Sequence, residues 1–489
     1  MSARDLCVEL WLEILSYVPK SAIYKLLGLN PLLSELALDK LYDDVAFVGY
    51  VRETKTMFDQ VMIPDIARRV RAVLIELEHA PDTLSESHHL VEHMHKSGID
   101  CMVPSSMETL TMAQIALSRF PCITTLRIKV HDHNMTRAFG QFLATICPRK
   151  TCPLQHLSID TTVSHLAVWL DPLERLLQVY SDLETFHLAL TRSDVVWMHQ
   201  FHAKRVFTSL FAILQQHLTS LTIADPLIMR LPGLFATLPV FRRLKAFELI
   251  TTFMSNMQEV DEPDSSTLLT RFIQDHSDTL ESLTVEHRST DPYACRWSSP
   301  YVYTTWLLSL EPLAEILTVD RPHMPRLKNL RVGFHGIPLK AGASRERLFP
   351  QLNTFAPNLV CLDITNSPVL PMHLQTIIDH LPTYRGVRSL QKLVISVTTL
   401  NCNDVDALAV KLPKLRDLEI VVPFCMSLRE DSWGCQVVYY PPLLWYRMVK
   451  LLQERPLSHE GCPSMAWASL THFRLVSFSS LSSRSAKNY

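Results

Sequence analysis

Glycine is scarce in this sequence, with 11 residues in a chain of 489. Loops that bind phosphate groups depend on glycine, because only a residue without a side chain lets the backbone approach the ligand closely. The motifs Gly-x-x-x-x-Gly-Lys-Ser/Thr, Gly-x-Gly-x-x-Gly, Gly-x-Ser-x-Gly and His-Glu-x-x-His are all absent. The sequence therefore carries no signature of a P-loop or dinucleotide enzyme, an α/β hydrolase or a zinc peptidase.

The chain also lacks an excess of charge and a long apolar run. Its formal net charge is -2, which argues against a nucleic-acid partner and against an anionic membrane surface. No stretch of about 18 uncharged apolar residues is present, so we expect no membrane partner. Asp5, Glu9 and Glu13 stand where a secretory leader needs uncharged residues. We therefore expect a cytoplasmic or nuclear protein, or one found in both compartments.

Cysteine and histidine form no convincing ligand set. The 11 cysteines are odd in number and irregularly spaced, which is typical of reduced thiols rather than of a disulfide framework. His89 and His93 have the spacing that places two metal ligands on one helix face, but no third ligand accompanies them. Cys147 and Cys152 lack a second pair. We predict no metal, no cofactor and no catalytic residues, although an enzyme with an unrecognised site stays an alternative.

A phrase of the form Leu-x-x-Leu-x-Ile/Val recurs along most of the chain. Successive copies from residue 126 to residue 247 lie 31, 29, 35 and 26 residues apart, which is room for one strand and one helix. A unit of this size cannot bury its own apolar side, so neighbouring units must stack. The copies begin at Ile123, Leu154, Leu183, Leu218, Leu244, Leu280, Leu327, Leu359, Leu390, Leu415 and Leu470, and Val70 begins a plausible earlier copy.

The alternating end of each phrase predicts a short strand with one buried face. A helix between successive strands gives right-handed units, with a parallel sheet on the concave side and helices outside. The pattern resembles leucine-rich repeat proteins over residues 120–476, although the Asn or Cys that usually follows the phrase is missing. An ordinary α/β domain with leucine-rich parallel strands is the alternative. We expect an α/β leucine-rich-repeat solenoid.

Residues between the buried positions of each strand point away from the core. We predict that this outward face binds a protein substrate, although each position is individually more typical of a solvated strand residue. Its mixture of charges argues against a uniformly polyanionic ligand. The predicted substrate-binding residues are Arg127, Lys129, His187, Glu248, Glu286, Arg331, Asp363 and Glu419.

The first fifty residues predict three short helices. Pro19 ends the first helix, and Asn30 followed by Pro31 predicts an N-cap and the start of the third. The first helix is apolar nearly all round, so one side can pack on its neighbours while another needs a partner or the first repeats. The segment resembles the F-box, through the matching positions Leu6, Glu9, Leu10, Ile14, Leu15, Pro19, Ile23, Leu26, Leu29 and Leu36; Cys7 replaces the early proline of that family.

The F-box resemblance implies that this module docks a Skp-family adaptor and, through it, a cullin–RING ubiquitin ligase. The repeats would then hold a substrate near the ubiquitin-charged enzyme, and the chain itself would do no chemistry. Alternatives are a helical cap on the first repeat and an interaction scaffold without a ubiquitin-ligase role. The adaptor-binding residues implied by the resemblance and by the apolar first helix are Leu6, Leu10, Trp11, Ile14, Leu15, Val18, Ile23, Leu26 and Leu29.

These patterns predict four regions. Residues 5–50 are expected to form the F-box-like three-helix module, and residues 51–119 a connecting region with the first degenerate repeat. Residues 120–476 are expected to form the irregular leucine-rich repeat solenoid. Residues 477–489, rich in serine, are expected to be a flexible tail.

Overall fold

The structure is a computed structural model in which the chain separates into two compact units. The first unit contains Met1–Thr222 and Thr237–Phe241, and the second contains Ile223–Ala236 and Arg242–Tyr489. The structure describes residues 8–49, 51–77, 104–131, 135–146, 153–162, 165, 182–191, 208, 211–225, 238–251, 265–287, 324–333, 356–369, 374, 378–379, 381, 383–384, 387–397, 408, 411–422, 427–431, 434–438 and 472–477.

The first unit begins with helices and continues into a sheet. The helices among its described residues are α1 (Val8–Tyr17), α2 (Lys20–Ile23), α3 (Pro31–Tyr42), α4 (Glu53–Val61), α5 (Pro64–Ala67), α6 (Ser106–Leu117) and α7 (Thr136–Ile146). Its strands are β1 (Asp44–Val48), β2 (Ala72–Leu77), β3 (Thr125–Val130), β4 (His156–Thr162), β5 (Thr185–Thr191) and β6 (Ser220–Asp225), which begins in this unit. The Asn30 side chain caps α3 by accepting from Leu33 N at 2.7 Å, as predicted.

Strands of the first unit lie side by side in chain order, β1 to β6. The pairs β1–β2, β2–β3, β3–β4 and β4–β5 are parallel, so Val73, Leu126 and Leu157 share one register position. These residues are buried, and α4 and α6 contact the strands. Phe186, Phe211 and Phe241 extend the same core through edge-to-face contacts with ring centroids 5.9 Å apart.

A backbone motif repeats at the entry of these strands. One carbonyl in front of a strand accepts two successive N–H groups from the entry of the next strand, at 2.8–3.1 Å. The accepting carbonyls belong to Asp43, Arg71, Thr124, Gln155 and Glu184. In each of these copies the donors are the two residues that directly follow the first residue of the phrase. The recurring sequence phrase therefore corresponds to a recurring hydrogen-bond arrangement.

The second unit repeats this plan. Its described elements are β7 (Ala246–Thr251), α8 (Ser265–Asp275), β8 (Ser282–His287), β9 (Asn329–Gly333), β10 (Cys361–Val369), β11 (Thr383–Tyr384), β12 (Val387–Arg388), β13 (Lys392–Val397), β14 (Asp417–Val422), β15 (Ser427–Asp431), β16 (Gly434–Val438) and β17 (His472–Ser477). The order β7-β8-β9-β10-β13-β14-β17 is parallel throughout, and Lys245, Glu281, Lys328, Val360 and Gln391 supply the paired-acceptor carbonyls.

The α/β class and the repeat-built parallel sheet predicted from the sequence are confirmed, with strands where the phrase places them. Two features differ from expectation. The sheet starts at Asp44, inside the segment predicted as purely helical, because Val45 and Phe47 are buried against the core as strand residues. The segment 423–442 lies within the predicted solenoid of parallel strands but contains the antiparallel hairpin β15–β16.

Candidate docking surface and outward sheet face

Helix α1 carries apolar side chains on two flanks. Trp11, Leu15 and Val18 are spaced by four and three residues and form its inward stripe, of which Leu15 is fully buried. Lys40 on α3 donates from Nζ to the Leu15 carbonyl at 2.7 Å, so a side chain of α3 satisfies the end of α1. The packing of α1 on α3 therefore uses only part of its apolar surface.

Leu10, Ile14 and Tyr17 have the same spacing and form a second stripe on α1. Leu10 and Ile14 are each 44% exposed, and Tyr17 is more exposed still. The loop after α2 adds further apolar residues to the exposed surface, and Gly28 there has φ 84°, a backbone conformation that favours glycine. We call the exposed set the N-terminal apolar surface: Val8, Leu10, Leu12, Ile14, Tyr17, Tyr24, Leu27, Leu29 and Leu32.

The predicted adaptor-binding residues fall into three groups. Leu10, Ile14 and Leu29 are exposed on the N-terminal apolar surface, and Trp11, Val18 and Leu26 are half-buried. Leu15 and Ile23 are buried in the protein's own core, because α3 packs over them, so neither offers an open contact to a partner. Leu6 lies outside the described residues.

The prediction missed six members of this surface. They are Val8, Leu12, Tyr17, Tyr24, Leu27 and Leu32. The helical periodicity of α1 places Val8 and Leu12 on one side of the inward stripe and Leu10 with Ile14 on the other. Tyr17 follows from the same periodicity. Tyr24 lies in the single turn of 3-10 helix Tyr24–Leu26 and Leu27 in the loop after it, so neither belongs to a segment long enough to show a period.

The outward sheet face of the first unit carries paired charges. In register order, Leu74, Arg127, Ser158 and His187 form one row, and Glu76, Lys129, Asp160 and Ala189 form the next. Arg127 forms an ion pair with Asp44, and Lys129 approaches Glu76 at 3.5 Å. All of these residues are half-buried or more exposed. The predicted residues Arg127, Lys129 and His187 therefore share one accessible face.

The second unit aligns four of its five predicted residues in a single row, and Glu286 lies in the neighbouring row. Glu248, Thr284, Arg331, Asp363, Val394, Glu419 and Arg474 occupy matching register positions. Arg331 forms an ion pair with Glu286 and approaches Asp363 at 3.3 Å from Nε. Glu286 is only 2% exposed, so the expectation of an accessible outward carboxylate is wrong for this residue. Its partner Arg331 is the accessible member of the pair.

Other candidate chemistry is limited within the described ranges. No group of three or more His, Cys, Asp or Glu residues that could hold a metal is found in the part of the chain that the structure describes. No helix in that part is long and apolar enough to cross a membrane. Burial raises the pKa of the Cys361 thiol, which favours the unreactive protonated form. His89, His93, Cys147 and Cys152 lie outside the described residues.

Comparisons with known proteins show only distant similarity, and it lies in structure rather than in sequence. No protein-family model and no curated protein matches the chain. A crystal structure of the Rad7 and Elc1 complex in yeast is similar, with a TM-score of 0.42 and 12% sequence identity. The match covers 88% of this chain and 91% of that chain. Because the score and the identity are both low, the proposals below rest on the residues of this chain alone.

Proposed function

We propose that this chain is the substrate-recognition subunit of an SCF-type cullin–RING ubiquitin ligase, located in the cytoplasm, the nucleus or both. Residues 5–50 act as an F-box module that docks a Skp-family adaptor, and the leucine-rich repeats bind the protein substrate. The chain performs no chemistry, because its task is to raise the concentration of substrate lysines near the ubiquitin thioester. No nucleic acid, membrane or cofactor takes part.

The observation that carries this proposal is the N-terminal apolar surface. The solvent-facing side of a helix normally carries polar residues. Helix α1 instead exposes a stripe of Leu10, Ile14 and Tyr17 in addition to its buried stripe. Leu10 and Ile14 are two of the positions that resemble the F-box pattern. A helix acting only as an internal cap has no use for a second apolar stripe.

The sheet contributes the substrate surface in this proposal. The outward face of the first unit presents Arg127, Lys129 and His187 among residues of both charge signs and neutral polar residues. Such a face fits a folded or extended protein segment with its own mixed polar groups better than it fits a uniformly charged polymer.

The test is co-purification of the full-length chain with a Skp-family adaptor. We expect the double variant Leu10→Asp with Ile14→Asp to reduce adaptor recovery by at least about tenfold, because two carboxylates would be placed in an apolar interface. The melting temperature should stay close to that of the wild type, since both side chains are already exposed.

The matched control is Ile63→Asp with Ile115→Asp. These two isoleucines are 50% and 43% exposed in the same unit but do not belong to the N-terminal apolar surface. Adaptor recovery should be unchanged in this control. Failure of the wild type to bring down an adaptor would instead support a repeat scaffold without a ligase role. A clear fall in melting temperature for the first variant would support an internal cap.

A further inference from the structure

Arg69 connects the N-terminal helices to the repeat sheet. It lies between α5 and β2, and its side chain is 6% exposed. Its guanidinium forms ion pairs with Glu35 and Asp39, which lie one turn apart on α3. Nε also donates to the Asp65 carbonyl at 3.0 Å, and Nη1 donates to the Glu35 carbonyl at 3.2 Å. One buried side chain thus ties α3 to the segment that enters β2.

The electrostatics of this cluster favour the bound arrangement. A hydrogen bond from Arg69 lowers the pKa of Glu35, and the charge of the guanidinium lowers it further. Burial alone would lower the pKa of Arg69, but its hydrogen bonds with Glu35 and Asp39 outweigh burial and raise it. Separating α3 from the sheet would leave a charged guanidinium without its carboxylates, which is strongly unfavourable for a buried group.

Helices α2 and α4 cover the free edge of the sheet. Strand β1 pairs with β2 on one side, and side chains from α2 and α4 reach backbone groups of β1 that β2 does not use. Thr54 on α4 accepts from Val48 N at 3.2 Å and donates to the Val48 carbonyl at 2.7 Å. Lys20 reaches the Asp44 carbonyl at 3.4 Å. Side chains therefore satisfy both ends of an edge that could otherwise pair with another strand.

We infer that helices α2, α3 and α4 form the terminal cap of the repeat sheet, and that Arg69 couples α3 to the sheet. On this inference α3, β1 and β2 open and close as one cooperative unit. The inference goes beyond adaptor docking, because it concerns the contacts between these helices and the sheet and holds whatever partner the N-terminal apolar surface binds. It also means that a deletion of residues 5–50 removes β1 and strips Arg69 of both carboxylates.

The experiment is hydrogen exchange, followed by mass spectrometry, on the full-length chain. In Arg69→Met we expect the backbone amides of α3, β1 and β2 to exchange at least about tenfold faster, all by a similar factor. The control is Arg68→Met, which makes the same change at the adjacent position. Arg68 is 60% exposed and its ion pair with Asp65, at 3.5 Å, is also exposed, so the exchange pattern of this variant should match the wild type.

A second variant guards against loss of folding in Arg69→Met. Glu35→Gln with Asp39→Asn keeps the arginine and the size of its partners but removes their charge, and both positions are more than half exposed. The same three elements should exchange faster, by a smaller factor. Faster exchange in α3 with unchanged β1 and β2 would overturn the inference, because the helices would then open on their own. An equal effect of Arg68→Met would overturn the role of Arg69.

Discussion

Strands β3 in the first unit and β13 in the second come from the same sequence phrase but have different surroundings. In β3, Leu126, Ile128 and Val130 are buried, while Thr125, Arg127 and Lys129 are half-buried on the outward face. In β13 every residue after Lys392 is buried, including the outward residues Val394 and Ser396. A parallel strand buried on both faces is typical of the interior of an α/β protein. The outward face of the sheet is therefore accessible to a partner at β3 and buried at β13.

The largest expected effect compares Val394→Lys with Ser158→Lys. Both residues hold the third position of their strand on the outward face, but Val394 is 6% exposed and Ser158 is half-buried. A lysine at 394 would place a charge in a closed site, so we expect a loss of about 3 kcal/mol or more in the free energy of unfolding. At 158 the lysine would lie on an accessible face but opposite Arg127, so the loss should stay within about 1 kcal/mol. Urea denaturation measures both, and equal losses would contradict the comparison.

An intermediate effect is expected from neutralising one carboxylate in each unit. Glu286 is buried beside Arg331, whereas Glu76 is partly accessible and approaches Lys129 at 3.5 Å. Glu286→Gln should cost about 1–3 kcal/mol, because the ion pair between a buried carboxylate and Arg331 is lost. Glu76→Gln should cost less than about 1 kcal/mol. Urea denaturation of the two variants measures both losses, and a larger loss for Glu76→Gln than for Glu286→Gln would contradict the comparison.

The smallest expected effect is a difference in pH dependence. Burial lowers the pKa of His276 from its ordinary value of 6.5, and Nδ1 lies 2.6 Å from the Phe272 carbonyl. Below pH 6.5 the unfolded chain binds a proton that folded His276 does not, so the stability of the second unit falls as pH decreases through that window. In the first unit, the lowered pKa of Glu35 gives stability that is lost only as pH falls below 4.5.

Urea denaturation at about pH 7.5 and pH 5.5 tests this difference. The wild type should lose stability between the two conditions, and His276→Gln should lose less. Glu35→Gln should lose as much as the wild type, since its carboxylate titrates below this range. An identical loss in the His276 variant would contradict the assigned role of that histidine.

The sequence predicts the repeat strands well, because each of them is encoded by a pattern of residues that are close together in the chain. Leu126 and Ile128 alternate within a phrase that recurs, and Asn30 with Pro31 marks the start of α3 without any distant information. Strand β1 escapes prediction because Asp44–Val48 lacks the phrase and becomes a strand through pairing with β2. Its strand character depends on a contact made after the chain has folded back.

In the candidate sites, too, local sequence patterns predict some features, while contacts between distant residues decide the others. Helical periodicity locates Leu10 and Ile14, but it cannot tell which flank of α1 will meet α3, so Leu15 is counted among the docking residues although it is buried. The burial of Glu286 and the partners of Arg69 depend on residues far apart in the chain. The buried outward face at β13 does leave a trace in the sequence, since Val394 stands where the other parallel strands of the second unit carry charged or polar residues.

The paired-acceptor carbonyl at each strand entry has a consequence for how such a chain can change in evolution. Lys328 and Glu281 meet across 47 residues, Thr124 and Arg71 across 53, and Thr219 and Glu184 across 35, yet each strand is aligned on its predecessor in the same way. The register between two strands is set by the first peptide groups of the later strand. Extra residues inserted between the two strands therefore leave that register unchanged. New segments can thus be gained or lost between strands while the ladder that supports them keeps its spacing.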